Sequence, residues 1–445
     1  MMSDLTVLLD KPIGTIRPLH GVNNGPQNDD PFFDLTDFYR QAGFPHARLH
    51  DCHYPSPDVV DIPQIFPNFH ADADDPANYH FGRTDDFLAS IVALPAQIIY
   101  RLGTSIEHTA RKYHVHPPAN YDKWVKICIN VIRHYNQGWA DGFKYGIKYW
   151  EIWNEPDVRP EMWSGTDEQY FALYAAAAKG IKALDSSLKV GGPVVTFYQG
   201  PLVKHFLAFV RDHHLPLDFF SWHMYDNTPQ KLLHAARDVR GILNQYGFPN
   251  AEMHLNEWHY LNVEWKDLRP GDSKLYHTVR AKYERMVGTE SAAFCASALM
   301  LLQNTAVDVA NYYAADLSHW SMFDNFGVPS KTFYAFVAFN ELLKTPLRVA
   351  CAGWEEEGPV TACAGVAADG TSVGVLVSNF SGTEVSQVVS FAPLPWKGPA
   401  SVEVRTVDAT HDFERTQATT LDAAKAEVQL ALPPYSVAFV KICKP

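Results

Sequence analysis

The chain is poor in several things that would each point to a function. Its six cysteines, Cys52, Cys128, Cys295, Cys351, Cys363 and Cys443, are scattered over 445 residues. No C-x-x-C pair occurs, and no Cys/His spacing fits a zinc knuckle, so neither a metal-stabilised module nor a disulfide scaffold is expected. At most, Cys351 and Cys363 could face each other across a hairpin. Positive charge is in deficit: 37 Lys and Arg against 50 Asp and Glu give a formal net charge of -13. A nucleic-acid partner would favour a basic face, and none is suggested. No apolar run reaches the ~20 residues needed to span a bilayer, so no membrane span is expected. The opening MMSDLTVLLD lacks a basic segment followed by an apolar run, which argues for a cytoplasmic location. Internal repeats and low-complexity segments are also missing.

What is present is an ordinary globular composition, 47% hydrophobic and 20% charged, and enough chain for one large domain plus a smaller one. Aromatics reach 13%, which suits carbohydrate-handling surfaces but also suits a core. Short apolar runs alternate with helical patterns from about residue 17, the mark of parallel βαβ units. Eight strands are read: IRPLHGV (16–22), PHARLHD (45–51), AQIIYRL (96–102), IKYWEIW (147–153), LKVGGPV (188–194), LDFFSWH (217–223), AEMHLNE (251–257) and VDVANYY (307–313). Thr166 with Gln169 three residues on forms a capping box ahead of a helix. A last helix follows near TFYAFVAFNELL.

Eight such repeats predict an α/β fold, a closed (β/α)8 TIM barrel over residues 14–344. The Pro- and Asp-rich stretch from Cys52 to Gly82 would be one of its long top-face loops. Beyond residue 345 short alternating strands take over, separated by Gly, Pro and Asp turns. That pattern predicts an all-β sandwich over 345–445, joined by an N-terminal strand within 1–13.

Asn-Glu occurs three times. Asn340-Glu341 lies in a helix where Phe336, Phe339, Leu342 and Leu343 mark the buried side, so Glu341 is a solvated acid. Asn154-Glu155 and Asn256-Glu257 instead end the fourth and seventh strands, where a barrel delivers side chains to its top face. Strands about 4.8 Å apart and tilted by about 36° give a barrel roughly 7–8 Å in radius. Inward glutamates on strands four and seven would then bring their carboxyls to roughly 5 Å, nearer the ~5–5.5 Å of retaining glycosidases than the wider gap of inverting ones. Glu151 points the same way by strand alternation but four residues deeper, and needs a cation such as Arg48 or Arg101.

At these residues the chain resembles the (β/α)8 glycosidases that keep Asn-Glu on strand four and a second Glu on strand seven. More narrowly, it resembles glycoside hydrolase family 39, which includes β-xylosidases and α-L-iduronidases. The matching stretches are GVNNGP (21–26), ARLHD (47–51), YWEIWNEPD (149–157), SWHMY (221–225), HLNEW (254–258) and FDNFGVPSKTFYAF (323–336), spread over nearly the whole chain. The resemblance implies a retaining exo-glycosidase, with β-D-xylosides the first expected substrate. Arabinosidase, galactosidase or uronidase activity on the same machinery is the alternative.

Within that resemblance Glu155 would be the acid/base, Glu257 the nucleophile, and Asn154 a hydrogen-bond partner of the sugar 2-hydroxyl. Arg48 would orient the nucleophile, His50 would bind sugar, and His223 and Tyr225 would form the family His-x-Tyr, with Tyr225 bonding Glu257. Trp320 would be a platform under the sugar ring and Asp316 a polar candidate on the same loop. The chain departs from the family pattern at Asp51-Cys52-His53, where typical family xylosidases carry a glycine. Asp51 and His53 could reshape the sugar subsite there. For a uronate the top loops offer Arg159 and Lys266. Two readings from other classes remain, a non-catalytic carbohydrate-binding protein and a metal hydrolase using His50, Asp51 and His53. No cofactor or metal is expected, and the partners are a carbohydrate substrate and, at most, further copies in a small homo-oligomer.

Overall fold

The computed structural model describes residues 4–29, 33–265, 276–318, 320–392, 394, 396–422, 424 and 426–444. Eight parallel strands close into a barrel in chain order. They are Gly21–Asn23, His46–Leu49, Gln97–Leu102, Tyr149–Ile152, Lys189–Val195, Phe219–Asp226, Glu252–Tyr260 and Val309–Tyr312. Helices ring the outside, among them Tyr121–Gln137, Asp167–Leu184 and Pro229–Tyr246. The strands are almost wholly buried and rich in aromatic and β-branched residues, as barrel strands covered by helices must be. The Thr166–Gln169 capping box forms in both directions and starts the helix after strand four.

The first, sixth and seventh strands depart from their sequence reading, each for a local reason. The first begins only at Gly21. Ahead of it, Pro18 has no N–H to give a ladder. The Arg17 guanidinium there is tied to the carbonyls of Leu302, Thr305 and Val307, which turns this segment under the barrel floor. The sixth and seventh strands run on together to Asp226 and Tyr260, because Glu257–Tyr260 continue pairing with His223–Asp226.

That seventh strand also carries a bulge: Leu255 pairs with Trp222 and Glu257 with His223, leaving Asn256 as the extra residue. Neighbouring strand residues normally point to opposite faces, and a bulge cancels that alternation. Asn256 and Glu257 therefore both reach the barrel interior. Strand four achieves the same end differently. Its ladder stops at Ile152, and left-handed backbone at Trp153 (φ 69°) and Glu155 (φ 43°) swings the exit segment inward. Strict alternation, by which the sequence reading set Glu151 on the same side as Glu155, is therefore not what aims Glu155.

Asn28–Asp29 and Phe33–Asp34 pair as a small separate ribbon, and the other strands form one continuous nine-stranded sheet, ordered Asp412–Asp422, Pro399–Val407, Ser436–Cys443, Ser372–Asn379, Val360–Val366, Leu347–Ala352, Leu5–Thr15, Val385–Ala392 and Ala426–Leu432. The expected sandwich is thus a single sheet curled on itself, with Gln417 on one edge strand donating to the Gln429 carbonyl on the other. Leu5–Thr15 sits inside it, antiparallel to Leu347–Ala352 and parallel to Val385–Ala392. Met1–Ser3, part of the segment predicted to join the sheet, lie outside the described residues. Cys351 and Cys363 stand on adjacent strands as free thiols, so the hairpin disulfide is not formed.

Barrel and sheet share a seam. The helix Thr289–Leu302 is buried along nearly its whole length, because one side meets the barrel helices and the other meets the sheet. Its sequence, TESAAFCASALMLL, is apolar or small all round, the composition such a place requires. Among the described residues no helix is long and apolar enough to cross a membrane.

Candidate active site

Arg48 organises the barrel's upper interior. Its side chain is completely buried, and each of its nitrogens is used. Nε donates to Glu151 Oε2 at 2.6 Å, Nη1 to Glu257 Oε1 at 2.7 Å and to Asn23 Oδ1 at 3.1 Å, and Nη2 to Asn154 Oδ1 at 2.7 Å. Asn256 closes the far side of Glu151, donating to Oε1 at 2.6 Å. Of the two cations proposed from the sequence for Glu151, Arg48 is the one that binds it. Arg101 bonds Asp61 and His50 instead.

Above this floor stand the two glutamates singled out by their Asn-Glu context. Glu257 Oε2 accepts the Tyr225 hydroxyl at 2.7 Å. Glu155 Oε1 lies 2.7 Å from His223 Nδ1, which is also 3.3 Å from Glu257 Oε2. An oxygen of each carboxyl group and that nitrogen fall within 4.8 Å of one another. The separation suits direct attack by one carboxyl while the other donates a proton, and it leaves no gap of ~6.5 Å or more for a water between them.

The acids differ in their company. Burial drives Glu155 up to about 8, the neighbouring charges of Asp157 and Asp51 add to the rise, and the Arg48 charge only partly opposes it. Burial also raises Glu257, but the Arg48 charge and the Tyr225 hydroxyl pull it back. Burial pushes His223 below its ordinary range, so its ring is neutral near neutral pH. A proton shared in this pocket therefore rests on Glu155, and the negative charge rests on Glu257 beside the guanidinium.

Asn154 spends its carbonyl on Arg48, while its Nδ2 is buried without a partner and free to donate to a ligand. Trp320 is half-buried, stacked 4.7 Å from His259 and 6.1 Å from Tyr225, and so belongs to an aromatic wall beside Glu257. His50 takes a hydrogen bond on Nδ1 from Arg101 Nε at 3.2 Å, and its Nε2 faces Asp51 Oδ1 at 3.3 Å. Asp51, left-handed at φ 50°, also accepts from Ile106 N and Tyr313 Oη, each at 3.1 Å.

Two candidates fall away from the pocket. His53 is exposed and turned toward Asp58 at 3.8 Å, so the His50–Asp51–His53 metal set is not assembled. Asp316 uses one oxygen on Asn24 Nδ2 and the other on Ser321 Oγ, which makes it a brace for its own loop. Arg159 is engaged by Asp167 and the Pro156 carbonyl, and Lys266 lies outside the described residues. Glu155, His223 and Glu257 have the composition of a cation site. The Arg48 guanidinium, 2.7 Å from Glu257, already places a positive charge of the protein's own beside that acid.

Sequence reading missed Asn23, Asn256, Tyr313 and Trp265. Trp265 is exposed at the pocket mouth, with its ring 5.0 Å from Tyr225 and 5.8 Å from Trp320. Asn23 and Tyr313 carried one signal, their places at the ends of strands one and eight.

The family profile described as Glycosyl hydrolases family 39 matches residues 40–256. A β-xylosidase of Geobacillus stearothermophilus is 26% identical over 261 residues, 52% of this chain and 48% of that protein. One from Caldicellulosiruptor saccharolyticus is 26% identical over 286 residues, 57% of this chain and 53% of its own length. The chain thus aligns with about half the length of these curated relatives. Among solved structures, a glucosidase from Croceicoccus marinus is 26% identical with a TM-score of 0.84, covering 100% of this chain and 99% of that one. A monomeric β-xylosidase from Caulobacter crescentus shares the fold at a TM-score of 0.74 and 16% identity, over 99% of both chains.

Proposed function

From the match of residues 40–256 to the glycoside hydrolase family 39 profile, we propose that the chain is a retaining exo-glycosidase of that family whose first substrate class is β-D-xylosides. The observation that carries this reading is the close pair Glu155 and Glu257 in unequal surroundings. In the first step Glu257 attacks the anomeric carbon as the bond to the leaving oxygen breaks, and Glu155 gives that oxygen its proton. In the second, water attacks the glycosyl-enzyme, Glu155 takes the water's proton, and Glu257 leaves as a carboxylate. Two inversions return the original configuration. Arg48 and the Tyr225 hydroxyl hold Glu257 in place for attack, and Asn154 Nδ2 donates to the sugar 2-hydroxyl. Trp320 lies under the ring, and His50 with Asp51 lines the glycone side. The catalytic unit in this reading is the barrel, residues 14–344, with 345–445 and the N-terminal strand as its companion. All the residues invoked come from one chain, so a monomer or a small homo-oligomer would serve equally.

A glucoside is the second reading for the same machinery. It rests on the full-length likeness to the Croceicoccus marinus glucosidase. A panel of p-nitrophenyl glycosides tests both. The expected outcome is hydrolysis of the β-xyloside, lost by at least ~10⁴-fold in Glu257→Ala. Azide should restore turnover to Glu155→Ala and yield a β-glycosyl azide. An α-azide product would overturn retention, faster turnover of the β-glucoside would move the sugar assignment, and no turnover of any glycoside would favour a binding protein.

A further inference from the structure

Asp51 and Tyr313 meet across the barrel rim although they are 262 residues apart in sequence. Asp51 follows the second strand and Tyr313 follows the eighth, with the first strand between them. Tyr313 is also bound to the nucleophile's strand, its N–H donating to the Trp258 carbonyl at 3.0 Å. Its hydroxyl hydrogen goes to Asp51 Oδ2 at 3.1 Å. Asp51 Oδ1 accepts the Ile106 N–H at 3.1 Å and has His50 Nε2 at 3.3 Å. Arg101 donates to His50 Nδ1, which leaves the imidazole hydrogen on Nε2, the nitrogen that faces Asp51. Arg101 is itself sealed from solvent and bound to Asp61 through Nη2, so it fixes this arrangement from behind, with its Nη1 left unpartnered.

The hydrogen bookkeeping has a chemical consequence. A carboxylate offers about four acceptor positions, and hydrogen bonds from Ile106 and Tyr313 take two at Asp51, with His50 Nε2 close to one of its oxygens. The Tyr313 oxygen has given away its hydrogen and keeps only lone pairs. This corner therefore presents acceptors, beside a formal negative charge, to whatever occupies the pocket. A sugar hydroxyl can donate into it. An ionised sugar carboxylate has no hydrogen to give and would meet both lone pairs and charge.

Resting on the glycosidase reading above, we propose that Asp51 and Tyr313 together form a hydroxyl receptor that commits this pocket to neutral glycones and rejects uronosides. Asp51→Asn is the natural variant to test, since asparagine tolerates a left-handed backbone and keeps the shape while removing the charge and turning one acceptor into a donor. Tyr313→Phe removes the hydroxyl alone.

The experiment measures kcat/KM of wild type and both variants on p-nitrophenyl β-D-xyloside, on its 3-deoxy and 4-deoxy analogues, and on p-nitrophenyl β-D-glucuronide. Wild type should lose on the order of 10²-fold or more on one deoxy analogue, as expected of a site built to bond a hydroxyl. Asp51→Asn should lose a similar factor on the parent xyloside but little further on that analogue. Its ratio of glucuronide to xyloside turnover should rise at least tenfold, and Tyr313→Phe should move both readouts the same way by less. A merely structural role would lower all substrates in parallel, and that outcome overturns the proposal. So does an Asp51→Asn enzyme with unchanged selectivity. If wild type turns over none of these glycosides, the glycosidase reading fails first, which is a different result from a wild type that is active but indifferent to Asp51.

Discussion

Glu151 and Glu155 are four residues apart, one on the barrel floor and one at the rim, and the difference between them lies in their partners. Glu151 receives a guanidinium N–H and an amide N–H, both at 2.6 Å, and shows no exposed surface. Glu155 receives a single imidazole contact and faces the charges of Asp157 and Asp51. Burial is common to both, so burial alone does not assign an acid its task. A cation in contact fixes a carboxylate in place, as scaffold at the sealed Glu151 and as the proposed nucleophile at Glu257. Without one, Glu155 holds its proton to unusually high pH and becomes an acid that can give it up during a reaction.

The strongest way to break this contrast is to remove the cation. Arg48→Met strips donors from Glu151, Glu257 and Asn154 at once and should cost about 3–5 kcal/mol of stability by leaving a buried acid uncompensated. Urea unfolding measures the loss, and adding Glu151→Gln should return part of it. A loss below about 1 kcal/mol would mean the floor does not depend on the pair.

A smaller effect comes from the rim. Glu155 is raised from an ordinary 4.5 to about 8, so between those values the folded chain holds a proton that the unfolded chain has released. Its contribution therefore lowers stability as pH rises through that window. Glu155→Gln removes this dependence and should be more stable than wild type at pH 8, by about 2–4 kcal/mol, with the advantage vanishing near pH 4.5. Thermal melts across the window would reveal a flat difference if the proton does not reside on Glu155. In the wild type, activity should fall as pH rises through about 8, where the acid is lost.

The smallest effect belongs to the third Asn-Glu. Glu341 sits on the outer side of the helix Lys331–Leu342 and pairs with Lys344. Glu341→Gln should stay within about 0.5 kcal/mol of wild type, with kcat unchanged. A measurable loss of turnover would show that Asn-Glu alone carries no information about position.

The sequence made the barrel legible because each strand is a short apolar run between helical patterns, and Glu155 and Glu257 because both lie at strand exits. The backbone that aims them was hidden. No residue pattern announces the bulge at Asn256 or the left-handed turn at Glu155, and alternation would have sent Asn256 away from Glu257. Arg101 with Asp61 and Asp51 with Tyr313 were equally out of reach, since each pairing depends on which loops the closed barrel brings together. The placing of His53 failed for the opposite reason: closeness to His50 in sequence does not survive the turn at Asp51.

The strand Leu5–Thr15 sets a timetable for the ribosome. Its neighbours, Leu347–Ala352 and Val385–Ala392, are made more than three hundred residues later. At about 5–20 residues per second, it waits roughly 20–60 s or longer with its hydrogen-bonding groups unclaimed. A nascent segment of that kind invites pairing with other nascent chains. The Asp10-Lys11-Pro12 step in its middle, exposed in the finished fold, supplies charge and a missing N–H where such pairing would otherwise propagate. The same three residues accompany the irregular register against Leu347–Ala352, so the mature sheet tolerates a flaw that protects the chain during its synthesis.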